Sequence, residues 1–121
     1  MSETAPKVSM LSSEQLLGAD DLPEEVVDVP EWGGQVKVRA LGWSQVADAR
    51  QRAKVGGVID DDRFSFALLQ QGLVQPSIRE DQVEFLRGKN KLAIERVLRV
   101  IERLSGLTEE VAAESEADFP Q

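Results

Sequence analysis

Carboxylates are the side chains of this sequence whose spacing most invites chemistry. Three run in succession at Asp60, Asp61 and Asp62, and carboxylates are the hard oxygen ligands that calcium takes. A calcium loop, however, alternates its acids and needs a glycine at its sixth position and a glutamate at its twelfth. Counting from Asp60, the sixth residue is Ser65 and the twelfth is not a glutamate. The run therefore reads as acids gathered at a helix N-terminus, where the macrodipole favours them. Glu24-Glu25 and the trio Glu80, Asp81 and Glu84 offer acid and base groups in principle. Such pairs work only in a pocket that drives their pKa values apart, and nothing in the surrounding pattern suggests one; solvated faces account for them. The chain has no histidine, cysteine or tyrosine. That removes the commonest proton shuttle and metal ligand, and every thiol nucleophile, thiolate site and disulfide. The expectation is a protein that is not an enzyme and that takes no metal or cofactor.

The charge that surrounds these groups narrows the partners. The 121 residues carry a formal net charge of −8, against the clustered lysine and arginine that phosphate backbones require, so nucleic acid is not an expected partner. The distribution is uneven. Residues 1–34 hold eight acids and one lysine, residues 35–54 hold five bases and one acid, and residues 105–121 hold five acids and no base. An acidic start, basic middle and acidic end can neutralise one another within the fold. Alternatively, Lys37, Arg39, Arg50, Arg52 and Lys54 form a basic rim for an acidic protein partner. No apolar run reaches the roughly 18 residues of a membrane span, and no signal-peptide pattern opens the chain. A soluble, cytosolic protein with no membrane partner is expected.

The elements follow from periodicity and breakers. Residues 1–12 read as a flexible arm, and 13–117 as one domain, with 118–121 a loose tail. Ser12 or Ser13 caps a short helix over Glu14–Leu17 that must dock or fray. A hairpin at about 24–41 places Val27, Val29, Val36 and Val38 on one face. Two registers are open: Val29 opposite Val36, or, if Gly33-Gly34 form a two-residue turn, Val29 opposite Val38. Asp28 then meets Lys37 or Arg39 across the strands. Pro30 cannot donate to a ladder, so it marks an edge strand or lies in the loop. Helices are predicted at about 44–55, capped by Ser44; at 62–72, with Gly72 as its C-terminal cap; and at 78–87, opened by a capping box from Ser77. Two more follow at 90–105, capped by Asn90, and at 108–117, capped by Thr108. In the fourth of these, Ala93, Ile94, Val97, Leu98, Val100, Ile101 and Leu104 share an arc wider than a coiled-coil seam, so it packs into a globular core. Gly106 suits the left-handed end of that helix, with Leu107 folding back in a Schellman cap. The fold class is α+β, predominantly helical, with the hairpin packed on a small helical bundle.

Pro30, Trp32, Gly33 and Gly34 define the hairpin tip. Trp32 there is either a lid folded back on the core or an interface anchor, since Trp is enriched among binding hot spots. Trp43 is expected to close the core where the second strand enters its helix.

Five pieces carry a family likeness: the short Leu-Leu helix near 14–21, Val-Pro-Glu-Trp-Gly-Gly at 29–34, Val-Lys-Val-Arg at 36–39, the long helix after Gly88, and Leu-Ser-Gly-Leu-Thr-Glu-Glu at 104–110 with its acidic tail. In this order and spacing they resemble the tail assembly chaperones of long-tailed bacteriophages; residues 44–76 contribute little. The resemblance implies a non-enzymatic assembly factor, made in the bacterial host cytoplasm and absent from the mature virion. It would bind the tape measure protein, a long aggregation-prone helical chain, while tail tube subunits assemble around it. A frameshifted longer form that helps recruit the major tail tube protein occurs in many such phages. Trp32, Leu107, Val111 and Phe119 are the apolar candidates for partner contact, and a homo-oligomer is compatible. Two other classes compete: a minor virion component such as a head–tail connector or tail protein, and a small acidic regulatory binding module.

Overall fold

The computed structural model describes residues 9–107. Its architecture is α+β and mostly helical, with an N-terminal antiparallel hairpin packed on a helical bundle. The order is α1 (Ser13–Gly18), β1 (Glu24–Val29), β2 (Gly34–Arg39), α2 (Trp43–Arg52), β3 (Lys54–Val55), β4 (Val58–Ile59), α3 (Asp61–Gly72), β5 (Leu73–Gln75), α4 (Val83–Arg87) and α5 (Lys91–Leu104).

The hairpin keeps its expected face in a different register. Pro30–Trp32 form a 3-10 turn that ends on Gly33 in the left-handed conformation, φ 76°. Proline's fixed φ suits the first position of such a turn, and glycine takes positive φ without steric cost. The loop thus takes Pro30 through Gly33, Val29 lies opposite Gly34 and Val27 opposite Val36. Both expected registers are corrected, but the slip is even, so the side-chain faces survive it. Val27, Val29, Val36 and Val38 are all buried. Asp28 sits opposite Gln35, whose Nε2 donates to its Oδ1 at 2.6 Å, and so meets neither Lys37 nor Arg39. β1 is an edge strand, and Pro30 lies in the loop after it.

Two strand pairings went unread in the sequence. β5 adds antiparallel to β2, with Leu73 opposite Val38, to give the sheet order β1-β2-β5. Gly72 is therefore not the cap of α3. It is the last residue of the helix, and a Cβ built on it would lie 2.6–2.8 Å from three side-chain atoms of Ile101. Only glycine lets α5 approach this closely. Second, α2 stops at Arg52, and β3 and β4 form a small hairpin around Gly56 and Gly57, both at positive φ. Two consecutive left-handed residues are what a two-residue hairpin turn of the primed type requires.

The helix starts show which polar groups won. Asn90 caps α5 as expected, its side chain accepting from Ala93 N at 3.0 Å. Asp60 caps α3 by accepting from Arg63 N at 2.9 Å. Ser44 does not cap α2: Gly42 is the cap residue, and its N donates to Gln45 Oε1 at 3.0 Å. Ser77 does not open the next helix either. It bridges to Val74, and a 3-10 turn at Glu80–Gln82 precedes a short α4. Ser12 caps α1 in a full capping box with Gln15.

α5 ends in a complete Schellman motif: Gly106 takes φ 74°, Leu107 N donates to Glu102 O at 2.7 Å and Gly106 N to Arg103 O at 3.2 Å. Both bonds satisfy carbonyls that a helix end leaves open. Ala93, Ile94, Val97 and Ile101 are buried, with Leu98, Val100, Leu104 and Leu107 packed against the same core. Ser105 Oγ accepts from Leu41 N at 2.9 Å and ties the end of α5 to the exit of β2.

Candidate protein-binding surface

Most of the carboxylates that the sequence offered for chemistry have structural partners, and Asp61 and Asp62 stand in the first turn of α3. Asp60 is a cap. Glu25 accepts from Arg103 Nη2 at 3.0 Å through both oxygens, and Glu24 lies 3.9 Å from Lys37. Glu80 pairs with Arg52 at 3.0 Å, Asp81 with Arg79 at 3.1 Å and Glu84 with Arg87 at 3.4 Å. Among the described residues no group of three or more acids is placed to hold a metal ion.

The strongest electrostatic contact joins the hairpin tip to α5. Arg96 donates to Glu31 through both nitrogens, at 2.6 and 2.8 Å, the fork geometry that arginine brings to a carboxylate. That hydrogen bonding holds Glu31 down from the ordinary 4.5 to about 2 and raises Arg96. At the other end of the hairpin, Arg103 and Glu25 make a second clasp. Glu95 is lowered chiefly by the hydrogen bond from Lys91. The two clasps fix the orientation of the hairpin on α5.

Most of the basic middle is likewise engaged within the fold. Arg39 lies 3.7 Å from Asp20 and Arg52 is shared by Asp48, Glu80 and Gln70, while Arg50 stands over the Phe64 ring at 5.8 Å. This is the self-neutralising arrangement rather than a continuous basic rim.

The apolar candidates fall differently from expectation. Trp32 is half-buried and packs on the core, and so does Leu107. Val111 and Phe119 lie outside the described residues, as do the helix at 108–117 and most of the arm. Trp43 does not close the core. It is the first residue of α2 and 91% exposed, because the helix begins at Gly42 and turns the ring away from the interior. Leu16 and Leu17 on α1 are exposed, and no residue of that helix is buried. Val55 and Val58 project from the β3–β4 hairpin, Phe85 from α4 and Leu92 from α5. Leu92 was not among the sequence-based candidates, although its place on the polar side of the α5 wheel is a signal that could have found it. Trp43 and the Val55–Val58 pair were not, because their exposure depends on where α2 starts and stops.

No family model matches this chain, and neither a curated protein nor a solved structure does.

Proposed function

We propose that the protein is a non-enzymatic phage tail assembly chaperone that binds the tape measure protein and holds it soluble while the tail tube assembles. The observation that carries this is the ordered likeness of residues 29–39 and 104–110 to that family. A second feature supports it: large apolar side chains, among them Leu17, Trp43, Val58, Phe85 and Leu92, stand exposed on a body of net charge −8. Exposed apolar anchors capture amphipathic helices by burial, and like charge keeps the loaded protein from self-associating. The work would take place in the host cytoplasm, and the protein would leave before the virion matures. The major tail tube protein is a further partner on this view.

Co-expression with a tape measure protein tests the proposal, read by size-exclusion chromatography with light scattering. Co-elution, with the partner insoluble when expressed alone, is the expected result. A partner that stays insoluble while this protein closes into a ring by itself would point to a virion component, and so would its presence in purified particles.

A further inference from the structure

Helix α1 is held by local chemistry alone. Ser12 N donates to Gln15 Oε1 at 2.8 Å and Gln15 N to Ser12 Oγ at 3.0 Å, which closes the capping box, and no residue of the helix is buried. A helix of 6 residues with no packed face is marginal in water. This one nevertheless carries Leu16 and Leu17, 61% and 84% exposed. Glu14 and Leu17 stand one turn apart on the same face, and residues 9–21 hold three acids and no base. α1 therefore presents an apolar knob beside a carboxylate.

The complementary surface lies where α3, α4 and the first half of α5 meet. A cavity of about 310 Å³ opens there, with an apolar wall of Phe66, Leu69, Ile94 and Leu98 and with Arg87, Lys89 and Lys91 among its lining. Two acids also line it, Asp62 and Glu95. Lys91 holds Glu95 at 2.6 Å and Arg87 lies 3.4 Å from Glu84, which leaves Lys89 as the cation of this cavity with no ion pair among the described residues. We infer that α1 of one copy docks on the cavity of a second copy, with Leu17 against the apolar wall and Glu14 beside Lys89. The α1 of the same chain does not reach. Asp20 lies 3.7 Å from Arg39, at the end of the hairpin where Glu25 is clasped to Arg103, and Leu17 stands at most about 10 Å along the chain from Asp20. Ile94 is roughly 13 Å further along α5 than Arg103, and the cavity opens toward α3 and α4, away from the hairpin. Each copy carries a net charge of −8, but at physiological ionic strength repulsion is screened beyond about 8 Å, so the charges that meet at the contact decide it. The inference does not rest on the chaperone proposal.

Sedimentation velocity of the full-length protein alone tests the inference. A contact of this size is weak, so loading concentrations run from about 10 µM to about 1 mM. The weight-average coefficient of the wild type should rise across that range, while Leu17→Ser on one side, and Lys89→Glu with Lys91→Glu on the other, should each stay monomeric. All three positions are exposed, and melting curves that match wild type check the fold of each variant. Mixed together, the two variants should form a 1:1 dimer, because the charge-reversed chain still offers α1 and the Leu17→Ser chain still offers the cavity. Glu14→Lys should weaken association several-fold in physiological salt and hardly at all at about 1 M, where screening acts over about 3 Å. A wild type that stays monomeric at the highest loading, a variant that associates undiminished, a mixture that stays monomeric, or an equal loss in Val58→Ser on the distant β3–β4 hairpin overturns the inference.

Discussion

The two sides of α5 face opposite problems. Toward the hairpin it is a closed interface, with Ala93, Val97 and Ile101 fully buried, Gly72 admitting Ile101 at contact distance, and the Glu31–Arg96 and Glu25–Arg103 clasps at its two ends. Toward α4 it is open, with a cavity at Leu98 and Ile94 and with Phe85 of α4 in solvent. Apolar burial and steric fit hold the first side, and the ion pairs at its margin set only the angle at which the hairpin lies. The second side keeps apolar area that the described residues do not cover, the kind of surface from which a protein partner can gain affinity. Stability and binding should accordingly separate in mutants.

The largest stability effect expected is at the closed side. Ile101→Ala should cost about 2–5 kcal/mol in urea unfolding, since it empties a fully buried site packed against Gly72. Gly72→Ala should follow at about 1–3 kcal/mol, from forced displacement of a β-branched neighbour, partly offset by alanine's better helix propensity. If Gly72→Ala is instead neutral, α5 does not lie against α3 this closely. Asn90→Ala should remove about 1 kcal/mol by leaving the N-terminal amide of Ala93 unpaired.

Smaller still is Glu31→Gln, which should lower the melting temperature slightly at neutral pH and less so in high salt, as befits a surface pair. Its pH dependence has a definite sign. Glu31 is more acidic folded than unfolded, so its contribution is present above about 4.5 and is lost as pH falls toward about 2. Wild type should therefore lose stability over that window relative to Glu31→Gln. At exposed apolar positions on α2 and α5, Trp43→Ser and Leu92→Ser should change unfolding free energy by less than about 0.5 kcal/mol. On the proposed function they should nevertheless weaken co-elution with the tape measure protein; coupled loss of both stability and capture would merge the two sides.

What was legible in the sequence was local. Alternation of valines placed the hairpin face correctly even though its register slipped, because an even slip conserves faces. The 3.6-residue period of α5, its Asn90 cap and its Gly106 stop were readable because each needs only neighbours within one or two turns. The failures at Ser44 and Ser77 have one cause: several residues near each helix start were able to satisfy the same amides, and packing chose Gly42 with Gln45 at one and a 3-10 turn at the other.

For the candidate surface the balance is less favourable. Leu92 could be found from the helical wheel, whereas the exposure of Trp43 depends on where α2 starts and the partial burial of Trp32 on where the hairpin tip meets the core. β5 carries three residues, too few for alternation to register, and forms because β2 offers it an edge. Gly72 reads as a helix stop in any local view, and only the approach of Ile101 from a distant helix gives it another purpose. By itself the sequence determined the absence of histidine and cysteine chemistry, the acidic balance, the valine face and the course of α5, since these depend on composition and near neighbours. Tertiary structure alone decided which aromatic is covered, which cations are spent on internal pairs and where a cavity stays open, since each depends on residues far apart in the chain meeting in space.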